Sequence, residues 1–301
     1  MEFHLTTEKE IIIQMKSIAL IIVLVSLLAL FLSSCMTFRK SNKAYKKTFA
    51  KEGITVNIIS ETHHGVEGRY LELILNKKAP TLLFVHGAPG SSSAFTNYLK
   101  DSTLNSAYNL VIIDRLGYGY SDYGNYHTIY QQAEWVSSLI EKHYANTPVF
   151  LIGHSFGGPI VAQTSYIMQD KISGTIMIAP AIDPENEKYF FGGKLAYWKP
   201  TKWLFSKPWQ VSASEKYQHA AELKQLEANW AKIETPVLHI HGDKDKIAPF
   251  INLEYTKKHF NPNYFKGYIW QGEGHLIPFK QMEKTIGLIQ AFVQTHEATN
   301  L

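Results

Sequence analysis

A chain of 301 residues that is 45% hydrophobic, 13% aromatic and 19% charged has the composition of an ordinary globular protein. At that size it can bury a full core without disulfides or metals. Its formal charge of +4 is unevenly spread: residues 1–51 hold eight basic and three acidic side chains, which leaves 22 basic against 23 acidic, of 30 and 26, to the rest. A near-neutral body argues against nucleic acid as a partner, since that calls for a basic face on the folded domain.

Residues 18–32, IALIIVLVSLLALFL, are apolar apart from Ser26. As a helix this run spans about 23 Å, short of the roughly 30 Å hydrocarbon core of a bilayer. A short apolar run after Lys16 reads as a signal-peptide core rather than a spanning helix, with Met15 as a natural start. The run ends in Leu32-Ser33-Ser34-Cys35, which resembles the lipobox of bacterial lipoproteins. That resemblance implies that Cys35 is acylated and becomes the new N-terminus, so that residues 1–35 are signal and anchor. The protein is then lipid-anchored on the extracytoplasmic side of a bacterial cell-envelope membrane. Cys35 is the only cysteine, so no intramolecular disulfide can form. The alternative is an uncleaved membrane helix in which Cys35 is merely a small apolar residue. Arg39, Lys40, Lys43, Lys46 and Lys47 follow. The positive-inside rule would keep them in the cytoplasm. After cleavage, residues 36–54 instead form a basic tether, attracted to anionic head groups by about 1 kcal/mol per charge.

From about residue 55, short β-branched runs alternate with helical stretches. Strands are predicted at 56–60, 69–75, 81–86, 109–114, 149–153, 174–179, 237–242 and 264–270, with helices at 130–144 and 159–169 between them. The runs LLFVH, LVIID, VFLIG and TIMIA are apolar throughout, as parallel strands buried on both faces require. Such alternation predicts an α/β fold: a mostly parallel eight-stranded sheet with helices on both faces. The first two strands, with a turn around Gly65–Gly68, suit an antiparallel hairpin. Between residues 183 and 232 the alternation stops. This interval carries ten aromatic residues and is far too long for a plain connection. It reads as a helical cap over the C-terminal edge of the sheet, within a domain drawn at 55–297. The blander alternative is a helical layer with its aromatics in ordinary core.

Gly153-His154-Ser155-Phe156-Gly157-Gly158 lies between the strand VFLIG and the apolar helix containing IVAQTSYIM. A G-x-S-x-G in that context lifts a serine oxygen above the sheet on a tight strand-to-helix turn. Glycines two residues either side remove side chains that would collide there. Downstream, His241-Gly242-Asp243-Lys244-Asp245 follows one strand and Gly272-Glu273-Gly274-His275 follows the last. The order Ser155, Asp245, His275 resembles that of the α/β-hydrolase-fold serine hydrolases, and the resemblance covers most of the chain.

That resemblance implies Ser155 as nucleophile, His275 as general base and Asp245 as the residue that orients it. Asp245-Lys246-Ile247-Ala248-Pro249 matches the acid-x-[IV]-x-P spacing of the family, which leaves Asp243 as a turn residue. Val85-His86-Gly87-Ala88-Pro89-Gly90 stands where the fold has its oxyanion loop, making the N–H groups of Ala88 and Phe156 the candidate donors. Asp114-Arg115-Leu116-Gly117-Tyr118-Gly119-Tyr120-Ser121 resembles the D-x-x-G-x-G-x-S loop of the family, read as structural. His239 and His241 alternate on one strand without a third ligand, which reads as a buried hydrogen-bonded pair and not a zinc site. His154 has no assigned role.

The implied chemistry is acyl transfer to water with no cofactor and no metal: a carboxylesterase-like enzyme (EC 3.1.1) acting on a small apolar acyl or aryl ester. H-G-x-P-G also resembles the oxyanion loop of proline iminopeptidases, whose cap carboxylates would bind a substrate amine. Glu185, Glu187, Glu215, Glu222 and Glu227 are candidates, with solvation on helix surfaces as the plainer expectation for each. A catalytically silent binding protein on the same fold is the third alternative.

Overall fold

The computed structural model describes residues 2–35, 37–189 and 191–297. The helices in chain order are α1 (Glu2–Cys35), α2 (Asn42–Ala50), α3 (Thr96–Lys100), α4 (Ser102–Asn105), α5 (Ile129–His143), α6 (Gly157–Ile167), α7 (Phe191–Tyr197), α8 (Lys207–Trp230), α9 (Ile251–His259), α10 (Ile277–Lys280) and α11 (Met282–Glu297). The strands are β1 (Asn57–His63), β2 (Val66–Leu73), β3 (Thr81–Val85), β4 (Asn109–Ile113), β5 (Val149–His154), β6 (Ile172–Ile178), β7 (Val237–Gly242) and β8 (Phe265–Trp270).

All eight form one sheet in the order β1-β2-β4-β3-β5-β6-β7-β8. The pairs β1–β2 and β2–β4 are antiparallel and the others parallel. The two-residue period of a strand divides the core in two. Leu83, Val85, Val111 and Leu151 join the layer containing Val136 and Leu139 of α5 and Ile160 and Val161 of α6. Leu82, Phe84, Ile112 and Phe150 join the opposite layer, with Tyr98 of α3 and Ile289 and Val293 of α11. Helices thus cover both faces, which is why the central strands read as unbroken apolar runs.

Two boundaries differ from the sequence reading. The hairpin turns at His64 and Gly65, with φ of 50° and 80°. Two left-handed residues make the tight turn that matches strand twist, so the strands run further toward each other, pairing His63 with Val66. Second, the folded body begins before residue 55. Tyr45 and Phe49 of α2 are fully buried in the second core layer, while Lys43, Lys46 and Lys47 face solvent. An i, i+4 apolar pair is enough to dock a helix, and the lysines between them hid it. Within 183–232 the helices are α7 and α8, and the aromatic residues of this interval divide. Trp230 is buried and stacked on Phe260 at 5.7 Å, whereas Trp198 and Trp203 are exposed.

The apolar run lies within α1, and the side chains of this helix from Ile11 to Val25 are exposed. Among the described residues no helix is long and apolar enough to cross a membrane. The side chain of Cys35, the expected lipidation site, lies outside the described residues.

Candidate active site

Ser155 sits between the end of β5 and the start of α6 with φ of 55°, the left-handed strain that a raised serine requires. Its flanking glycines answer to contact. A Cβ at Gly153 would lie 2.4 Å from Gly157 O, and one at Gly157 would lie 2.3 Å from Val85 O. The turn is tied down by Ser155 N–H donating to Ile178 O at 3.0 Å and Gly158 N–H donating to Ser155 O at 2.9 Å.

The loops after β7 and β8 bring the other two predicted residues to this point. They approach so closely that a Cβ at Gly242 would lie 2.3 Å from Glu273 O. His275 Nε2 lies 2.9 Å from Ser155 Oγ, and His275 Nδ1 lies 2.8 Å from Asp245 Oδ2. Oδ1 of Asp245 accepts from the Ile247 and Ala248 N–H groups at 2.8 and 3.0 Å. Burial alone would raise this carboxyl; the His241 imidazole, 3.4 Å away, and the hydrogen bond from His275 outweigh it and hold the group well below the usual carboxylate range. Asp245 is therefore an anion beside the imidazole. Asp243 is elsewhere, accepting from Gly272 N–H at 2.7 Å in the loop itself.

Three further histidines pack beside these residues: His154, which had no role in the sequence reading, and the pair His239 and His241. His154 Nε2 donates to His275 O at 2.9 Å, fixing the backbone of that residue. Burial, with His275 adjacent, pushes its imidazole down to about 3. His239 Nε2 and His241 Nδ1 are 2.8 Å apart and hydrogen-bonded to each other, and His241 Nε2 donates to Ala248 O beyond. Among the described residues no cluster of three metal-ligating side chains occurs.

Ala88, Ser155 and Phe156 line one cavity of about 830 Å³, roofed by α7, α8 and the segment between them. Its surface is mainly apolar, including Leu195, Leu204, Phe205 and Trp209. Neither the Ala88 nor the Phe156 N–H is engaged in a turn or loop backbone hydrogen bond among the described residues.

The five cap glutamates are not all solvated, contrary to expectation. Glu215 is 1% exposed and bidentate to Arg115, at 2.7 and 3.1 Å. Glu222 is buried and accepts from Tyr126 Oη and, at 2.6 Å, from Ile129 N–H. Of the five, Glu187 alone lines the cavity, where it is paired with Lys216 and lies 3.3 Å from His219. These pairings join residues 29 to 100 positions apart, so no local pattern announced them. Asp114 is structural, as read: it accepts from Arg69 and from the Ser92 N–H and hydroxyl.

A sheet of this order, with a serine at a strained turn after its fifth strand, defines the α/β-hydrolase fold. The family model for that fold matches residues 80–202, and a serine hydrolase (FSH1) model matches residues 199–286. Among curated proteins the chain is similar to protein phosphatase methylesterase 1 of Candida albicans. The two are 26% identical over 149 residues, which is 47% of this chain and 39% of that protein. It is also 30% identical to a proline iminopeptidase of Lactobacillus helveticus over 101 residues, or 33% of this chain and 32% of that one. The chain thus spans well under half the length of the curated relatives it matches. A bacterial membrane phospholipase A superposes with a TM-score of 0.64 at 19% identity, covering 93% of this chain and 97% of the other. Est1E of Butyrivibrio proteoclasticus, solved with ferulic acid, gives 0.60 at 18% identity, covering 80% and 99%. At such identities the structural likeness establishes the fold.

Proposed function

We propose that this protein is a serine hydrolase that cleaves a carboxylic ester through an acyl-enzyme on Ser155. The observation that carries the reading is the hydrogen-bonded chain from Ser155 Oγ through His275 to Asp245, opening on a largely apolar cavity. Ser155 Oγ attacks the ester carbonyl as His275 Nε2 takes its proton, while Asp245 holds the imidazole tautomer and stabilises its cation. The Ala88 and Phe156 N–H groups receive the developing oxyanion. Collapse expels the alcohol, which takes the proton from His275; water then repeats the sequence on the acyl-serine. This chemistry calls for no metal or organic cofactor.

An apolar acyl or aryl ester suits the cavity better than a proline peptide. Binding a substrate amine needs an unpaired carboxylate at the cavity wall, and Glu187 is already matched by Lys216 and His219. The lipobox-like sequence ending at Cys35 supports a body held at a bacterial envelope membrane by a lipid, and that location suits an apolar substrate. The discriminating experiment compares p-nitrophenyl butyrate with proline p-nitroanilide. The expected result is turnover of the ester with a far higher kcat/KM; preference for the anilide would overturn the ester reading.

A further inference from the structure

Arg115 was read from the sequence as a supporting residue of a structural loop, and its surroundings are more specific than that. The side chain is 1% exposed. Nη1 and Nη2 form two parallel hydrogen bonds to Glu215 of α8, at 2.7 and 3.1 Å, so a residue of the loop after β4 is locked to a residue of the cap. Gln132 Oε1 accepts from Nη1 at 2.8 Å, and Tyr118 Oη donates to Glu215 at 2.6 Å. The Glu215 carboxylate, despite the burial penalty, holds the guanidinium above its ordinary pKa, so its charge is permanent.

From this anchored position Arg115 touches the peptide that carries the Ala88 N–H and the side chain of Phe156. Its Nη2 lies 3.4 Å from Gly87 O, and its guanidinium carbon lies 4.7 Å from the centre of the Phe156 ring. Its backbone N–H donates to His86 Nε2 at 3.0 Å. An accepting Nε2 places the imidazole proton on Nδ1, which then donates to the same Gly87 O at 2.7 Å. The Gly87 carbonyl is thus held by two donors, both governed by Arg115.

That carbonyl belongs to the same peptide group as the Ala88 N–H. In a planar trans peptide the two point in opposite directions, and the cis bond of this loop is the next one, Ala88–Pro89. Fixing Gly87 O against Arg115 and His86 therefore fixes the direction of the Ala88 N–H. The peptide lies against the nucleophile: a Cβ at Gly87 would be 2.9 Å from Ser155 Cβ.

We propose that Arg115, clamped by Glu215 of the cap, is a positioning residue that holds the Gly87–Ala88 peptide in the orientation of an assembled oxyanion hole, so that cap seating and oxyanion binding are coupled. The proposal rests on the hydrolase reading of Ser155. Arg115→Met alone leaves the Glu215 carboxylate buried and unpaired, which is strongly destabilising. The informative variant is Arg115→Met combined with Glu215→Met, because replacing a whole buried ion pair by apolar side chains is often neutral for stability.

The double variant is expected to fold with a Tm modestly below that of the wild type, because Tyr118 Oη and Gln132 lose partners, and with a KM within about threefold and kcat lowered about 10- to 100-fold, below the 10²–10³ for loss of a whole donor. Affinity for a trifluoromethyl ketone, which presents an oxyanion as its hemiketal, is expected to fall in parallel. A crystal structure of the variant should show the Gly87–Ala88 peptide rotated or in two orientations. A kcat and inhibitor affinity that recover along with Tm, or a peptide unmoved in the crystal, would overturn the proposal. A wild-type protein that turns over no ester would instead sink the hydrolase reading, and the crystallographic arm would still decide whether Arg115 positions the peptide.

Discussion

Replacing Asp245 by Asn tests the role of that residue in atomic detail. Oδ1 of the carboxylate accepts from two backbone N–H groups, those of Ile247 and Ala248, and Oδ2 faces His275 Nδ1 at 2.8 Å. In Asp245→Asn the amide keeps its oxygen on the two N–H donors, which turns its NH2 toward His275. His241 does not force the opposite flip, since its Nε2 donates to Ala248 O at 2.9 Å and lies 3.4 Å from Asp245. His275 Nδ1 must then accept, and the imidazole proton moves to Nε2, the atom that has to receive the Ser155 proton. A wrong tautomer in unchanged geometry costs about 10⁴ in kcat, or about 5.4 kcal/mol at roughly 1.36 kcal/mol per decade. The assay is steady-state hydrolysis of p-nitrophenyl butyrate, with Tm measured in parallel. A variant folded like the wild type whose kcat stays within about tenfold would refute the tautomer argument.

Gly157→Ala should be far worse than a surface Gly→Ala change, because its Cβ would meet backbone, Val85 O, at 2.3 Å. A loss of about 3 kcal/mol or more is expected in urea unfolding; a neutral effect would mean that the elbow is looser than described. Stability should also fall on acidification before the carboxylates titrate. Burial lowers the folded-state pKa of His86, His154 and His239 below the ordinary 6.5, that of His154 to about 3. A histidine lowered in this way contributes stability that is present above 6.5 and lost as pH falls from there, at up to about 1.4 kcal/mol per unit for each group. Urea-unfolding free energies measured between neutral pH and about pH 5 should decline; a flat profile would show that these histidines titrate normally. Finally, Cys35→Ser should abolish metabolic labelling with palmitate and the removal of residues 1–34, the latter read by intact mass. Retention of both would rule out Cys35 as the acylated residue.

Much of the fold was legible because the central strands are buried on both faces, so LLFVH, LVIID, VFLIG and TIMIA announced themselves without alternation. The elbow was legible for a different reason. Its glycines are fixed by backbone contact at Val85 and Gly157, and such a requirement leaves a spaced signature in sequence. Asp245 could be preferred to Asp243 by spacing, and the two hydrogen-bond sets place them in different surroundings. Less legible was everything created by pairing across the fold. Glu215 looks like a helix-surface carboxylate until Arg115, 100 positions earlier, is seen beside it. His154 looks idle until its bond to the His275 carbonyl is seen. The tether was misjudged because lysines dominate residues 39–51 in composition while Tyr45 and Phe49 decide how they pack.

The most direct test of the account is labelling with a fluorophosphonate probe, read by intact mass and by peptide mapping, on wild type, Ser155→Ala and His275→Ala. The account predicts a single adduct on Ser155 in the wild type, none in Ser155→Ala and at most trace labelling in His275→Ala. A folded wild-type protein that takes up no probe, or an adduct on another residue, would contradict it.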